Sequence, residues 1–148
     1  MAQPFPNHPN LRGGFAPLQM ECDVNDLVIE GEIPRALNGS FYRNGPNPQY
    51  APRGHYHWFG GDGMVHAFHV EDGRVAYRNR WVRTIKWQKE REAGRSLFSA
   101  FNPLDNDDSV AGLETDGVAN TNILWHGGKL LALEAVSYTH LRAHETDY

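Results

Sequence analysis

Apolar and polar positions alternate over short runs in this chain, and the runs end in glycine, proline or an acidic residue followed by glycine. The clearest case is residues 65–83, where two runs flank Glu71-Asp72-Gly73. Val75, Tyr77 and Trp81 share one face of the second run, and Arg78 and Arg80 share the other, which predicts a half-buried hairpin. A second hairpin is predicted over 121–134. Its first strand sets Asn122 and Leu124 against Ile123 and Trp125, and His126-Gly127-Gly128 supplies the turn. Residues 27–33 read as a β-rich run ended by Pro34, with 34–39 as a turn. Residues 88–93 are a short helical candidate, charged and expected to be exposed, with Gly94 as its C-cap. Residues 1–16 form an irregular lead-in, and 102–117 a polar, turn-rich loop.

The stretch that organises the rest is 38–68, NGSFYRNGPNPQYAPRGHYHWFGGDGMVHAF. Phe41-Tyr42 is a short aromatic strand that exits at Arg43-Asn44-Gly45-Pro46-Asn47-Pro48, where two prolines donate no N–H to a ladder. A second aromatic strand is expected at 55–59. It meets Gly60-Gly61-Asp62-Gly63, a tight turn with room for positive φ and for close backbone approach. Asp62 is expected to cap that turn through its own side chain. Arg43 suits either a buried cation or an exposed edge position.

Composition narrows the picture. The chain has 148 residues, 40% of them hydrophobic, and a formal net charge of -4, so charge makes no case for nucleic acid or a membrane surface as partner. A single cysteine, Cys22, excludes an internal disulfide and fits a reducing compartment. The first residues lack the basic and apolar regions of a secretory signal, and no apolar run reaches the length of a membrane-spanning helix. A cytoplasmic protein is the expectation.

Phe41 to Pro48, then Trp58-Phe59-Gly60-Gly61-Asp62-Gly63-Met64-Val65, resembles the N-terminal motifs of the carotenoid cleavage oxygenases, a family that includes lignostilbene dioxygenases and the retinoid isomerase of the eye. The resemblance continues through Lys86-Trp87, residues 90–98, Gly117-Val118-Ala119-Asn120-Thr121-Asn122 and residues 128–133, covering about 15–134. Gly60 departs from it, since the family usually carries Asp or Asn there. The short strands by themselves argue an all-β sandwich, barrel or propeller; the resemblance implies the N-terminal portion of a seven-bladed β-propeller. A blade takes roughly 40–45 residues and seven about 300, so residues 17–135 are expected to be a partial propeller that cannot close its ring. Residues 136–148 match nothing in the family. From Val136 to Thr146 they resemble the translation of a transposase sequencing adapter, with Ala135 as the junction codon, and a non-native tail is the expectation.

The resemblance further implies a non-haem Fe(2+) held by four neutral histidines. With O2 it would cleave a C=C bond of a conjugated apolar small molecule into two carbonyl products. Those histidines would lie downstream, so none of the eight here is assigned as a metal ligand, no catalytic residue is assigned, and the chain alone is expected to be inactive. His55 and His57 are read as aromatic packing near a turn, and His66 and His69 have opposite parity on their strand. A second-sphere glutamate of the family would fall at position 135; Glu134 is one residue early and points to the other face. Three positions bear on substrate. Phe59 keeps an aromatic wall of the lignostilbene-cleaving relatives, whereas Phe101 and Glu134 stand where those relatives hold a phenolic hydroxyl with tyrosine and lysine. An apolar polyene such as an apocarotenoid is therefore favoured over a 4-hydroxystilbene. A stilbene-cleaving dioxygenase and a non-catalytic propeller binding module are the alternatives.

Overall fold

The computed structural model describes residues 2–115 and 117–134 and the backbone of 143–146. Seven strands and one α-helix are built over them: β1 (Asp23–Val24), β2 (Gly39–Pro46), β3 (Gly63–Glu71), β4 (Arg74–Trp81), α1 (Ile85–Ala93), β5 (Asn122–His126), β6 (Lys129–Leu133) and β7 (Ala143–Thr146). They form two antiparallel sheets, one in the order β1-β4-β3-β2 and one in the order β5-β6-β7. The all-β expectation is met. The junction at position 135 and most of 136–148 lie outside the described residues.

Both predicted hairpins form, and their turns show why. Asp72 and Gly73 take φ 49 and 76, and Gly127 and Gly128 take 58 and 77, so each two-residue turn has two positive φ angles. That geometry matches the twist of the strands it joins. Register follows: Met64 faces Trp81, Phe68 faces Tyr77 and Val70 faces Val75. The two faces of β3 then bury different things. Val65 packs with Val82, Ala119, Leu130 and Ala132 where the second sheet meets the first. Met64, on the other face, packs with Trp81 and with Trp87 of α1.

Four expectations are corrected. Residues 27–33 form no strand: Val28 is 97% exposed, and only the Leu27 amide reaches the ladder, donating to the Val75 carbonyl at 2.8 Å. The edge of β4 is taken instead by β1, which Asp23 secures through hydrogen-bonded ion pairs to Arg78 and Arg80. Residues 55–59 are also not a strand. His57 Nδ1 accepts from the Phe59 amide at 3.2 Å and starts a 3-10 turn, Trp58–Gly60. A side-chain cap outcompetes the aromatic strand preference there.

The helix starts three residues earlier than expected, capped by Thr84 Oγ1 accepting from the Trp87 amide at 3.1 Å. Gln88, Lys89, Arg91, Glu92 and Ala93 are exposed as expected, but one side of the helix faces inward. Lys86, Trp87 and Glu90 are buried. Gly94 does terminate it, at φ 68. Finally, Asp62 does not cap its own turn; its carboxylate takes the Lys86 ammonium at 2.8 Å and the Gln49 amide at 3.0 Å.

The glycines of the Gly60-Gly61-Asp62-Gly63 turn serve close approach alone, since none of the three takes positive φ. A Cβ on Gly63 would lie 2.2 Å from the Ala119 carbonyl oxygen, and one on Gly60 would lie 2.2 Å from Ala100 Cβ. The side chain that the family usually carries at position 60 therefore has no room here, because Ala100 occupies the space. Of the two settings offered for Arg43, the structure gives the exposed one.

Candidate functional site

Two segments converge beside α1. One is the 3-10 turn Trp58–Gly60; the other is residues 98–101, which leave the helix through Gly94. Between them opens a cleft of about 260 Å³ whose lining includes Phe59, Phe101, Glu134, Lys86, Phe98 and Val118. The three residues singled out from sequence thus share one cavity. Other depressions carry none of them: one of about 280 Å³ lies over Tyr42 and His69, and one of about 670 Å³ flanks the Asp72-Gly73 turn.

The mouth of the cleft is aromatic and open. Phe59 is 56% exposed and Phe101 48%. Phe59 stacks on Trp58 with centroids 5.6 Å apart, and His57 meets Phe59 edge-on at 4.5 Å. His55 and His57 each lie 6.3 Å from the Phe101 ring. These two histidines are therefore aromatic packing at the lip. His66 and His69 are elsewhere, bonded to Tyr77 Oη at 2.7 Å and Ser40 Oγ at 2.9 Å.

The opposite wall is polar at its base. Glu134 accepts the Val118 amide at 2.8 Å, and its carboxylate sits where a Cβ on Gly117 would be, which only glycine at φ 83 permits. Beneath the cleft, Lys86 Nζ bridges Asp62 Oδ1 and Glu90 Oε2, each at 2.8 Å. Burial works against the Lys86 charge, but the two carboxylates outweigh it and hold the ammonium well above the ordinary lysine range. Tyr56, also buried, is pushed up to about 12 by desolvation and then by the Asp62 charge. Glu134 adds a third carboxylate to the two that flank Lys86, so the site disfavours an anionic guest.

Asparagines fix the remaining geometry. Asn120 Nδ2 donates to the carbonyls of Phe59 at 2.8 Å and Gly61 at 2.7 Å, and Asn44 Nδ2 donates to those of Ala119 at 2.7 Å and Asn122 at 3.0 Å. Lys86, Glu90 and Asn120 fall inside the motif segments, but the sequence pattern assigns them no role. The available signal was the i,i+4 spacing of Lys86 and Glu90, which puts opposite charges on one helix face.

Among the described residues no group of three or more His, Cys, Asp or Glu side chains converges to hold a metal ion. The described residues therefore offer no ligand set for the iron that the resemblance implies.

A family profile described as "Retinal pigment epithelial membrane protein" matches residues 15–143. The chain is 47% identical over 135 residues to isoeugenol monooxygenase of Pseudomonas nitroreducens, covering 90% of this chain and 28% of that protein. It is 37% identical over 145 residues to carotenoid 9,10(9',10')-cleavage dioxygenase 1 of Phaseolus vulgaris, covering 85% and 26%. The chain belongs to the carotenoid cleavage oxygenase family. Among solved structures of that family, the crystal structure of Pseudomonas brassicacearum lignostilbene dioxygenase superposes with a TM-score of 0.83 at 37% identity, covering 98% of this chain and 32% of that one. The chain thus spans about a quarter of the length of the curated family members it matches. No helix among its described residues is long and apolar enough to cross a membrane.

Proposed function

We propose that this chain is part of a cytoplasmic non-haem Fe(II) dioxygenase built on a seven-bladed β-propeller. The enzyme splits a C=C bond of a carotenoid or apocarotenoid, with one oxygen atom of O2 going to each carbon, to give two carbonyl products. The iron is held by histidines outside these 148 residues, residues 136–148 are a non-native tail, and the chain alone is inactive. What the chain contributes is one wall of the substrate passage, with Phe59 and Phe101 as apolar surfaces and Glu134 behind them.

The observation that carries the reading is the shared cleft of Phe59, Phe101 and Glu134. Flat conjugated molecules stack on exposed aromatic rings, and Phe101 offers no hydroxyl to a phenol. Glu134 is committed to the Val118 amide and brings negative charge where a phenolate would need a cation. A 4-hydroxystilbene is the second reading. It is favoured by the 46% identity to lignostilbene-alpha,beta-dioxygenase isozyme III of Sphingomonas paucimobilis, against 37% to the carotenoid dioxygenase, and by the superposition on lignostilbene dioxygenase.

The test is to express the intact reading frame that carries this segment and follow Fe(II)-dependent O2 uptake with an apocarotenoid and with a 4-hydroxystilbene. Higher kcat/KM on the polyene supports the first reading. Preference for the stilbene replaces it with the second, and uptake on neither points to a non-catalytic binding module.

A further inference from the structure

The two walls of the cleft belong to segments far apart in sequence, and a buried ion triad joins them. On one side Asp62 follows directly from Phe59-Gly60-Gly61, and its second oxygen is fixed by the Gln49 amide at 3.0 Å. On the other, Glu90 Oε1 accepts the amides of Leu97 at 2.9 Å and Phe98 at 3.0 Å and the Ser96 hydroxyl at 3.3 Å, where the chain turns toward Phe101. Lys86 Nζ reaches both carboxylates. Its side chain also lines the cleft, so the link lies directly beneath the space it spans.

Stability alone is a weak reason for this arrangement. Desolvating two carboxylates and an ammonium is costly, and well-packed apolar residues of the same volume often do as well or better. Hydrogen-bonded charges differ from apolar contacts in being directional: they fix a distance and an angle where a greasy contact slides. Here every carboxylate oxygen of the triad has a partner, including the Leu97 and Phe98 amides at the base of one wall and the Gln49 amide behind the other.

Resting on the substrate-cleft reading above, we propose that Asp62, Lys86 and Glu90 are positioning residues that set the spacing between the Phe59 and Phe101 walls and thereby select guests by cross-section. They touch no reacting atom. Their effect is discrimination between a slim linear polyene and a broader diaryl alkene.

The test uses the intact protein carrying this segment, held anaerobically, with quenching of tryptophan fluorescence as the binding readout, since Trp58 stacks on Phe59. Dissociation constants are measured for a linear apocarotenoid and for a hydroxystilbene. Lys86→Met alone strands two buried carboxylates and can abolish folding. The deciding variant is therefore the triple Asp62→Asn, Lys86→Met, Glu90→Gln, which removes all three charges at nearly constant shape. The expected result is a folded triple variant whose ratio of the two constants differs from the parent by about tenfold, the scale on which small changes of pocket shape act. A folded triple variant with the parental ratio overturns the proposal, and so does loss of folding in the triple, because the triad would then be structural only. Phe101→Ala separates the two levels: if it leaves both constants unchanged, the cleft reading itself fails, whatever the triad does.

Discussion

Replacing Gly63 by alanine tests whether the glycines of the 60–63 turn are there for space. A Cβ at this position would lie 2.2 Å from the Ala119 oxygen, 2.7 Å from its carbonyl carbon and 2.8 Å from the Val118 oxygen. All three are backbone atoms, so no rotamer change relieves the clash. Ordinary C···O contacts need about 3.3 Å, so the 118–119 segment must retreat by about 1 Å. That retreat breaks the 2.8 Å bond from the Gly63 amide to the Val118 carbonyl. It also pulls on Ala119, already at φ 50 and fully buried. Overpacking costs about 1–3 kcal/mol and a broken buried hydrogen bond about 1–3 kcal/mol. Alanine recovers about 0.4–1 kcal/mol by restricting the unfolded chain. The net expectation is a loss of about 1–6 kcal/mol, centred on about 3, a large share of a domain's typical 5–15 kcal/mol.

Gly45→Ala is the internal control. It sits one rung along the same ladder, opposite Met64, with open space to 4 Å around the place a Cβ would take and no positive φ. It is expected to be neutral or stabilising by up to about 1 kcal/mol. Urea unfolding followed by tryptophan fluorescence, at equal m-values, measures both. Gly63→Ala within about 0.5 kcal/mol of the parent would refute the close-approach account. Equal destabilisation by both changes would mean that the cost lies in adding any side chain to this ladder.

Other outcomes follow from the same geometry. Asn120→Ala leaves the Phe59 and Gly61 carbonyls without their donor and is expected to cost about 1–3 kcal/mol in urea unfolding while weakening binding at the cleft. His66 is held below the usual imidazole value of 6.5 by burial and then by the Arg43 charge. Unfolded His66 takes up a proton near that pH and folded His66 does not, so stability is full above it and falls as pH drops from it through the folded value; His66→Gln should flatten that part of the profile. Burial alone would raise Glu21, but hydrogen bonds from Arg83 and the Trp81 amide, with the Arg80 charge, hold it below 4.5. Its contribution is therefore present above that pH and disappears as pH falls through the folded value, a change that Glu21→Gln should remove. In the intact protein, Phe101→Tyr with Glu134→Lys is expected to raise kcat/KM on a 4-hydroxystilbene by about 10² or more relative to the polyene, read from O2 uptake.

The hairpins were legible because each rests on local rules: alternation fixes the faces, and Asp72-Gly73 or Gly127-Gly128 fixes the turn. Membership of the cleft was legible for Phe59, Phe101 and Glu134 through family resemblance alone, since nothing local in sequence ties residue 59 to residue 134. What escaped was burial of charge. Lys86 and Glu90 look like a solvated helix face, and a hydrophobic–polar pattern assigns them outward. They turn inward because Asp62 and the Leu97 and Phe98 amides wait there to pair with them. The aromatic run at 55–59 misled for a related reason: one capping histidine, invisible to strand propensity, bends it into a 3-10 turn.

The residues that identify the family also turn out to be the ones that hold segments together. Asn44 ties β2 to the 119–122 segment, Asn47 binds both backbone groups of Leu18, and Asn120 ties the same segment to the 59–61 turn. Gly63 lets the 118–119 backbone come close, and Glu90 seats the segment that leaves α1. Each such role depends on a particular donor or acceptor or on the absence of a Cβ, so few substitutions preserve it. The cleft-lining positions obey a looser rule. Phe59 and Phe101 are about half exposed and meet mainly other side chains, so a change there is expected to leave the fold in place and, on the proposed reading, to alter what the cleft accepts. Family motifs in this chain therefore specify where the cleft is. On the proposed reading its selectivity rests both on the Asp62, Lys86 and Glu90 triad within those motifs and on Phe101 and Glu134 outside them or at their margins.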